Sequence, residues 1–286
     1  MGFRILFVAL LFGTLACNQS AGSEKKVIRV MSFNIRYDNP NDGDNIWKNR
    51  REGVAKMLDF HRVDLVGMQE VLKNQLDDIK RMAPEFAAVG VGRADGKEKG
   101  EYSPILYRKD RFEIIDWGTF WLSKTPEDTA SVGWDAALER IVTWAQMTDI
   151  ANGTSFFFFN THFDHRGVEA RRHSAALIMD KIREMAGSEA VILSGDFNFD
   201  ASSAPYSLLT RADKPLFDTR VVVGDAAYGP FGTYTGFQPD ENILKNIDFI
   251  FVNERWHVWR QGIIAENWNG IVPSDHRPVV ADLELK

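Results

Sequence analysis

Apolar runs of strand length recur along this chain, and several follow one another with no helical stretch between them. Val27 to Phe33 reads as a strand ending at Asn34, and Asp64 to Met68 as a second that delivers Gln69 and Glu70. Pro104–Tyr107 and Phe112–Trp117 read as strands joined by a charged turn, Arg108 to Arg111. Ile141–Ile150 and Thr154–Asn160 form a hairpin pattern around Asn152-Gly153, a dipeptide that tolerates the positive φ such turns need. Ala190–Leu193, Ile247–Val252 and Val279–Leu285 complete the set. Helical patterns are fewer. Val54, Met57 and Leu58 fall at helical spacing within Arg50–Phe60, Asn74–Met82 is helical, and Val168–Ala186 carries the stripe Ala175, Ile178, Met179, Ile182. Strands that outnumber helices and adjoin one another argue for two packed sheets with helices outside, not for a doubly wound parallel sheet.

The 286 residues suffice for one large α/β domain with a sizeable core. The formal net charge is −6 and no Lys/Arg-rich stripe is present, which argues against tight, nonspecific nucleic-acid binding and against an extended nucleic-acid surface. An acidic protein can still cut a phosphate ester when a metal supplies the positive charge.

Residues 1–17 read as a secretory signal: Arg4, a short apolar core from Ile5 to Phe12, then small residues. The apolar stretch is too short to span a membrane. Cys17, the chain's single cysteine, stands where a bacterial lipoprotein is cleaved and acylated, although Thr14 and Leu15 depart from the usual lipobox. The expected organisation is therefore a lipoprotein-type signal over 1–17, a flexible tether over 18–26 and one folded domain over 27–286. The expected location is the bacterial periplasm or the outer membrane, with attachment through lipidated Cys17. With Cys17 so used, no thiol remains for disulfides or thiolate catalysis.

Chemistry gathers where the apolar runs stop. Leu193-Ser194-Gly195-Asp196-Phe197-Asn198 and Ser274-Asp275-His276 each set acids beside an amide or an imidazole at a strand boundary. A hard cation with a phosphate needs this inventory: carboxylates for the metal, donors for the oxygens, a histidine to move a proton. Asp196 and Asn198 alternate, so in extended chain they face the same way. Glu70 ends a strand and fits a metal ligand, because a hard divalent ion prefers carboxylate oxygen. Asn34 can support the same ion or a phosphate oxygen. Trp121 and Trp134 flank a Pro/Gly/Ser loop and can line a pocket, whereas Phe156 to Phe159 reads as a buried strand.

Six elements in order give the resemblance: Ser32-Phe33-Asn34-Ile35-Arg36, Gln69-Glu70, Asn160-Thr161-His162, Gly195-Asp196-Phe197-Asn198, Ile247-Asp248-Phe249-Ile250-Phe251 and Ser274-Asp275-His276. Together they resemble the endonuclease/exonuclease/phosphatase superfamily, with its DNase I-like fold, over Val27 to Lys286. Gly118 to Ser123 and His162-Phe163-Asp164-His165 look like its secreted bacterial branch, labelled only as metal-dependent hydrolases. The resemblance implies a four-layer α/β/β/α sandwich of two mixed β-sheets with outer helices and a site at one edge of the paired sheets. It implies that Asp196 orients or deprotonates the attacking water and that Asn198 and His162 hold phosphate oxygens. Asp248 and His276 are expected to form a hydrogen-bonded dyad. Glu70, Asn34 and Asp275 are the expected metal residues. Arg36 stands where some members carry a second acid, so one possible metal ligand is lost there, and the arginine is left to pair with an acid or with substrate phosphate. His165 and Asp164 are expected to shape the substrate pocket, with Tyr107 and Arg140 as outer contacts. Whether Asp196 or His276 takes the proton of water stays open.

The expected activity is that of a Mg²⁺- or Mn²⁺-dependent phosphoric ester hydrolase in which water attacks phosphorus in line. A phosphodiester is the first expectation and a phosphomonoester (phosphosugar or inositol phosphate) the alternative. A nuclease is weaker, and a binding lipoprotein with a dead site weaker still. Nucleotide, lipid headgroup and phosphosugar all remain as sources of the leaving alcohol. A monomer is expected.

Overall fold

Two strand–helix–strand units organise the fold. In the first, β1 (Val27–Asn34) pairs in parallel with β2 (Leu65–Gln69) across the helix α1 (Trp47–Phe60). In the second, β7 (Thr154–His162) pairs in parallel with β8 (Ala190–Asp196) across α3 (Val168–Ala186). Antiparallel strands extend each unit into a mixed six-stranded sheet. The remaining elements along the chain are α2 (Lys73–Met82), β3 (Phe86–Val89), β4 (Ile105–Arg108), β5 (Phe112–Trp121), β6 (Ile141–Asp149), α4 (Ala204–Thr210), β9 (Phe217–Asp218), α5 (Thr219–Val223), β10 (Asp248–Val252), β11 (Trp256–Ile263) and β12 (Val279–Leu285). The sheet orders are β11-β12-β1-β2-β4-β3 and β5-β6-β7-β8-β10-β9. The computed structural model describes residues 1–2, 27–211, 213, 215–238 and 245–286. Cys17 and the expected tether lie outside the described residues.

Three cores bind the layers. One lies between the sheets and joins Ile28, Val30 and Leu65 to Phe156, Phe158 and Ile192. A second packs the outer face of the second sheet on α3, and a third packs the first sheet on α1 and α2. The result is the α/β/β/α sandwich that the resemblance implied. The Phe156–Phe159 run follows directly: Phe156 and Phe158 face the other sheet, while Phe157 and Phe159 face α3. Each fully buried ring contributes roughly 1.5–3 kcal/mol. Along α1, Trp47, Arg50, Val54, Met57 and Leu58 recur on the buried face.

The charged turn after β4 joins two sheets, since β4 and β5 belong to different ones. Arg111 there sits 2.8 Å from Asp64 and 3.0 Å from Asp149, so a buried cation fastens the sheets together at one end. The other end is the functional one. Parallel strands point the same way, so β1, β2, β7 and β8 deliver Asn34, Gln69-Glu70, His162 and Asp196 to a single edge.

Candidate active site

Pairing register places the central residues. His162 and Asp196 are partners across β7–β8, and Asp248 opposes Asp196 across β8–β10. Asp196 therefore lies between an imidazole and a second carboxylate. From the other sheet, the Asn34 amide donates to Asp196 Oδ2 at 3.0 Å and to Glu70 Oε1 at 3.1 Å. His276 precedes β12, and its Nδ1 meets Asp248 Oδ2 at 2.9 Å, with Nε2 3.7 Å from Asp196 Oδ2. Ser274 donates to the Asn34 carbonyl at 2.7 Å and ties this segment to the end of β1.

Three side chains enter the site from left-handed backbone: Arg36 at φ 58°, Glu70 at φ 59° and Asn198 at φ 51°. Such backbone costs energy in a residue with a Cβ and persists where local bonds hold it. Those bonds are present. Arg36 N donates to Asn34 Oδ1 at 3.0 Å, Tyr37 N to Glu70 Oε2 at 3.2 Å, and Asn198 N to Asp196 Oδ1 at 3.0 Å. Asn198 Nδ2 reaches the Phe163 carbonyl at 3.0 Å and His162 Nε2 at 3.1 Å.

The site separates its titrating groups. Burial, reinforced by the Asp248 charge, raises the Asp196 carboxyl to about 7. Burial opposes a charge on His276, yet the Asp248 and Asp196 carboxylates overcome it and raise the imidazole to about 10. His162 goes the other way: burial, then Arg140 and Arg93, push it well below its ordinary value, so it is neutral. Burial also raises Asp275.

The donor set fits a divalent cation on one side of the site. Glu70, His162 and Asp196 each offer an atom within 4.8 Å of the others, as do Asp196, Asp248 and His276. The second group holds the charged His276, which offers no lone pair. The first holds two carboxylates and a neutral imidazole, a set a divalent ion accepts. Asp275 faces the same region, 3.9 Å from Arg36 Nε, and Glu70 lies 3.9 Å from Arg36 Nη1. Asn34 is placed differently from the expectation. Its oxygen accepts from Arg36 N, which leaves the NH₂ to support two carboxylates and not a cation.

A cleft of about 520 Å³ opens over these residues. Arg36 lines it but is also held bidentate on Asp42 at 3.0 and 3.1 Å. His165 lines it with Nδ1 3.0 Å from Arg140 Nη2. Arg140 is buried in the wall; Asp164 lies 3.4 Å from its Nε, and its Nη1 has no hydrogen-bond partner among the described residues. Asp164 itself turns inward to cap the backbone of Arg166 and Gly167. Trp121 does not line the cleft: it is buried, and its indole N–H donates to the Arg93 carbonyl at 2.8 Å, the acceptor a buried indole requires. Trp134 stacks on His173 instead, with ring centroids 4.8 Å apart. Tyr107 packs against the core between the sheets. Arg93, Glu101, Tyr234 and Lys245 line the cleft without any motif to announce them. Arg93 and Glu101 form a bidentate pair at 2.8 Å on both arms, and the Tyr234 ring meets His276 at 5.0 Å.

Two sheets that bring carboxylates and a buried Asp–His dyad to one edge suit the hydrolysis of a phosphate ester. Residues 31–276 match the Endonuclease/Exonuclease/phosphatase family, and the chain belongs to it. An endonuclease/exonuclease/phosphatase from Bacteroides vulgatus is 43% identical and superposes with a TM-score of 0.88, over 92% of this chain and 100% of that one. A mannosyl-6-phosphatase from Bacteroides thetaiotaomicron is 38% identical, with a TM-score of 0.85 over 90% of this chain and 99% of that one. Two uncharacterised mimivirus proteins match at 24% and 29% identity over 78% and 60% of this chain, which spans 38% and 62% of their lengths.

Proposed function

We propose that this chain removes phosphate from a sugar phosphate monoester with the help of Mg²⁺ or Mn²⁺. One observation carries the reading. Arg140, whose buried Nη1 has no hydrogen-bond partner among the described residues, lines the cleft together with Arg93 and the acids that suit a cation. A terminal phosphate, doubly negative near neutral pH, needs such cationic partners on more than one side. The similar mannosyl-6-phosphatase supports the sugar as leaving group.

When bound, the divalent ion supplies positive charge to phosphate oxygens as negative charge builds on the leaving group. Asp196, raised to about 7, accepts the proton of the attacking water. His276, held as imidazolium near neutral pH, cannot be that base and donates from Nε2 to a phosphate oxygen. Asp248 fixes its ring orientation and its charge. Asn198, His162, Arg36 and His165 line the cleft where the phosphate and the sugar would lie.

The test is phosphate release from mannose 6-phosphate and p-nitrophenyl phosphate, against bis-p-nitrophenyl phosphate and plasmid DNA, with Mg²⁺ or Mn²⁺ present. We expect kcat/KM on the monoesters at least tenfold above the diester, and Arg140→Lys to raise KM for p-nitrophenyl phosphate. A preference for the diester would assign the chain to phosphodiester hydrolysis instead. Secretion and attachment through acylated Cys17 belong to the same proposal, supported by the apolar run before that residue. Cys17→Ser should then leave the membrane fraction, and identical fractionation of the two proteins would remove the anchor.

A further inference from the structure

The structure assigns Arg50 as a positioning residue that fixes the spacing between the two halves of the catalytic edge. Arg50 sits on α1, is fully buried and forms no salt bridge to a carboxylate among the described residues. Its donors end on main-chain carbonyls. Nη1 donates to Ile35 O at 2.7 Å and to Pro273 O at 2.8 Å, while Nε bonds Asn45 O and Nη2 reaches Arg36 O at 3.3 Å.

The two Nη1 contacts decide the matter. Ile35 lies between Asn34 and Arg36, at the turn that supports Glu70 and Asp196. Pro273 leads directly into Ser274-Asp275-His276. Both hydrogens of one nitrogen therefore join the turn of Asn34 and Arg36 to the segment of Asp275 and the imidazole. Ser274 Oγ adds a second, shorter link between the same segments, to Asn34 O. One guanidinium thus spans both segments.

An arginine suits the task because its planar fork aims several N–H groups in fixed directions. A lysine keeps the charge but puts all its hydrogens on one tetrahedral nitrogen, and its three hydrogens cannot serve four carbonyl groups. The rings of Trp47 and Phe237 lie 5.4 and 5.5 Å from the guanidinium carbon and wall the fork in. Burial works against the Arg50 charge and the Asp275 and Asp42 carboxylates only partly offset it, so a residue kept only for stability would gain more from an apolar side chain here. Small errors in the spacing of catalytic groups cost rate steeply, which gives the cation its purpose.

The inference rests on the proposed divalent-cation site, so the experiment keeps the two apart. Arg50→Lys and Arg50→Met are compared with wild type in three measurements on the full chain. The first is hydrogen–deuterium exchange in EDTA, which needs neither metal nor activity. Exchange should rise at least tenfold in peptides spanning residues 34–37 and 273–277, with α3 and β8 unchanged. The second is Mn²⁺ affinity by titration, expected to fall about tenfold. The third is turnover of p-nitrophenyl phosphate, with kcat down at least tenfold and KM within twofold. Local exchange as expected in a wild type that binds no Mn²⁺ would discard the metal and keep the role of Arg50. Wild-type exchange and Mn²⁺ affinity in the folded variants would overturn the proposal. Global loss of protection, or failure of both variants to fold, would also overturn it, by assigning Arg50 to stability alone.

Discussion

Asp196 Oδ2 lies 3.7 Å from His276 Nε2, and the fold drives the two groups to opposite roles. The acid is raised to about 7 and the imidazole to about 10, so over the neutral range one can accept a proton while the other stays charged.

Both shifts are upward, and that fixes the sign of a pH effect. A group whose pKa rises on folding stabilises fully below its unfolded value and loses that contribution as pH climbs through its folded value. For Asp196 the window runs from the ordinary 3.8 to about 7, and for His276 from 6.5 to about 10. In EDTA, the thermal midpoint should therefore fall as pH rises from 6.5 to about 10, whereas below 6.5 the depressed His162 works against Asp196. Asp196→Asn should flatten the lower window. Added Mn²⁺ should stabilise more at the upper end, where the carboxylates are ionised and crowded. Melting curves across the range check this, and a midpoint that rises with pH above 6.5 in EDTA would refute the charge assignment.

The dyad makes a kinetic prediction. His276→Ala and Asp196→Asn should each lower kcat by roughly 10²–10⁴, the scale of a lost acid–base group. Asp248→Asn should cost less, because it removes orientation and charge support but leaves the imidazole. The Asp248→Asn/His276→Ala double variant should be little worse than His276→Ala alone, since residues acting as one unit are not additive. Additive losses in variants with native circular dichroism would dissolve the pair.

Much of this site was legible because its residues close strands and keep short, local spacings. Asp196 and Asn198 stand two apart, Ser274 to His276 are contiguous, and α3 spans Val168–Ala186 as its stripe implied. What escaped notice lacks such periodicity. In β11 the alternation breaks at a register shift between Val258 and Arg260, and β3 is two alanines between larger residues. Arg93 and Glu101 reach the cleft from a loop whose path no local pattern fixes. Trp121 stands near the cleft in sequence logic alone; burial and the Arg93 carbonyl turn it inward. Arg50 looked like one more position near a helix start, because main-chain carbonyl acceptors carry no sequence signature.

Glu70 supplies the metal test. EDTA should abolish turnover, and Mg²⁺ or Mn²⁺ should restore it. Glu70→Ala should weaken the ion's affinity while leaving the melting point in EDTA equal or higher, because it removes one charge from a cluster that holds Asp196 and Asp275. Titration of activity against Mn²⁺, with melting in EDTA as control, separates the two effects. Full turnover in EDTA would end the metal assignment.

Gly67 offers the sharpest test of how the sheets meet beneath the site. It lies in β2, and a Cβ there would come 2.1 Å from Ser194 Oγ and 2.4 Å from Asn160 Oδ1. Both atoms belong to a buried bridge between the sheets. Asn160 Oδ1 accepts from Gln69 Nε2 at 2.7 Å and from Ser194 Oγ at 3.0 Å, while its Nδ2 donates to the Met68 carbonyl at 2.7 Å and the Pro104 carbonyl at 3.0 Å. A methyl group cannot enter without parting β2 from β7 and β8. Overpacking of this kind costs about 1–3 kcal/mol. At roughly 2–4 °C per kcal/mol for a chain of this size, Gly67→Ala should lower the melting point by several degrees. The displacement also reaches the chemistry. Asn160 and Ser194 precede His162 and Asp196 by two residues on their strands, and Gln69 adjoins Glu70. Turnover should therefore fall at least tenfold at temperatures where the variant is folded. Ser194→Ala removes the nearest obstacle, so the penalty of Gly67→Ala should shrink in that background. Four proteins, each measured for melting point and kcat, complete the cycle. A penalty that is the same with and without the Ser194 hydroxyl would show that the sheets do not meet at this contact.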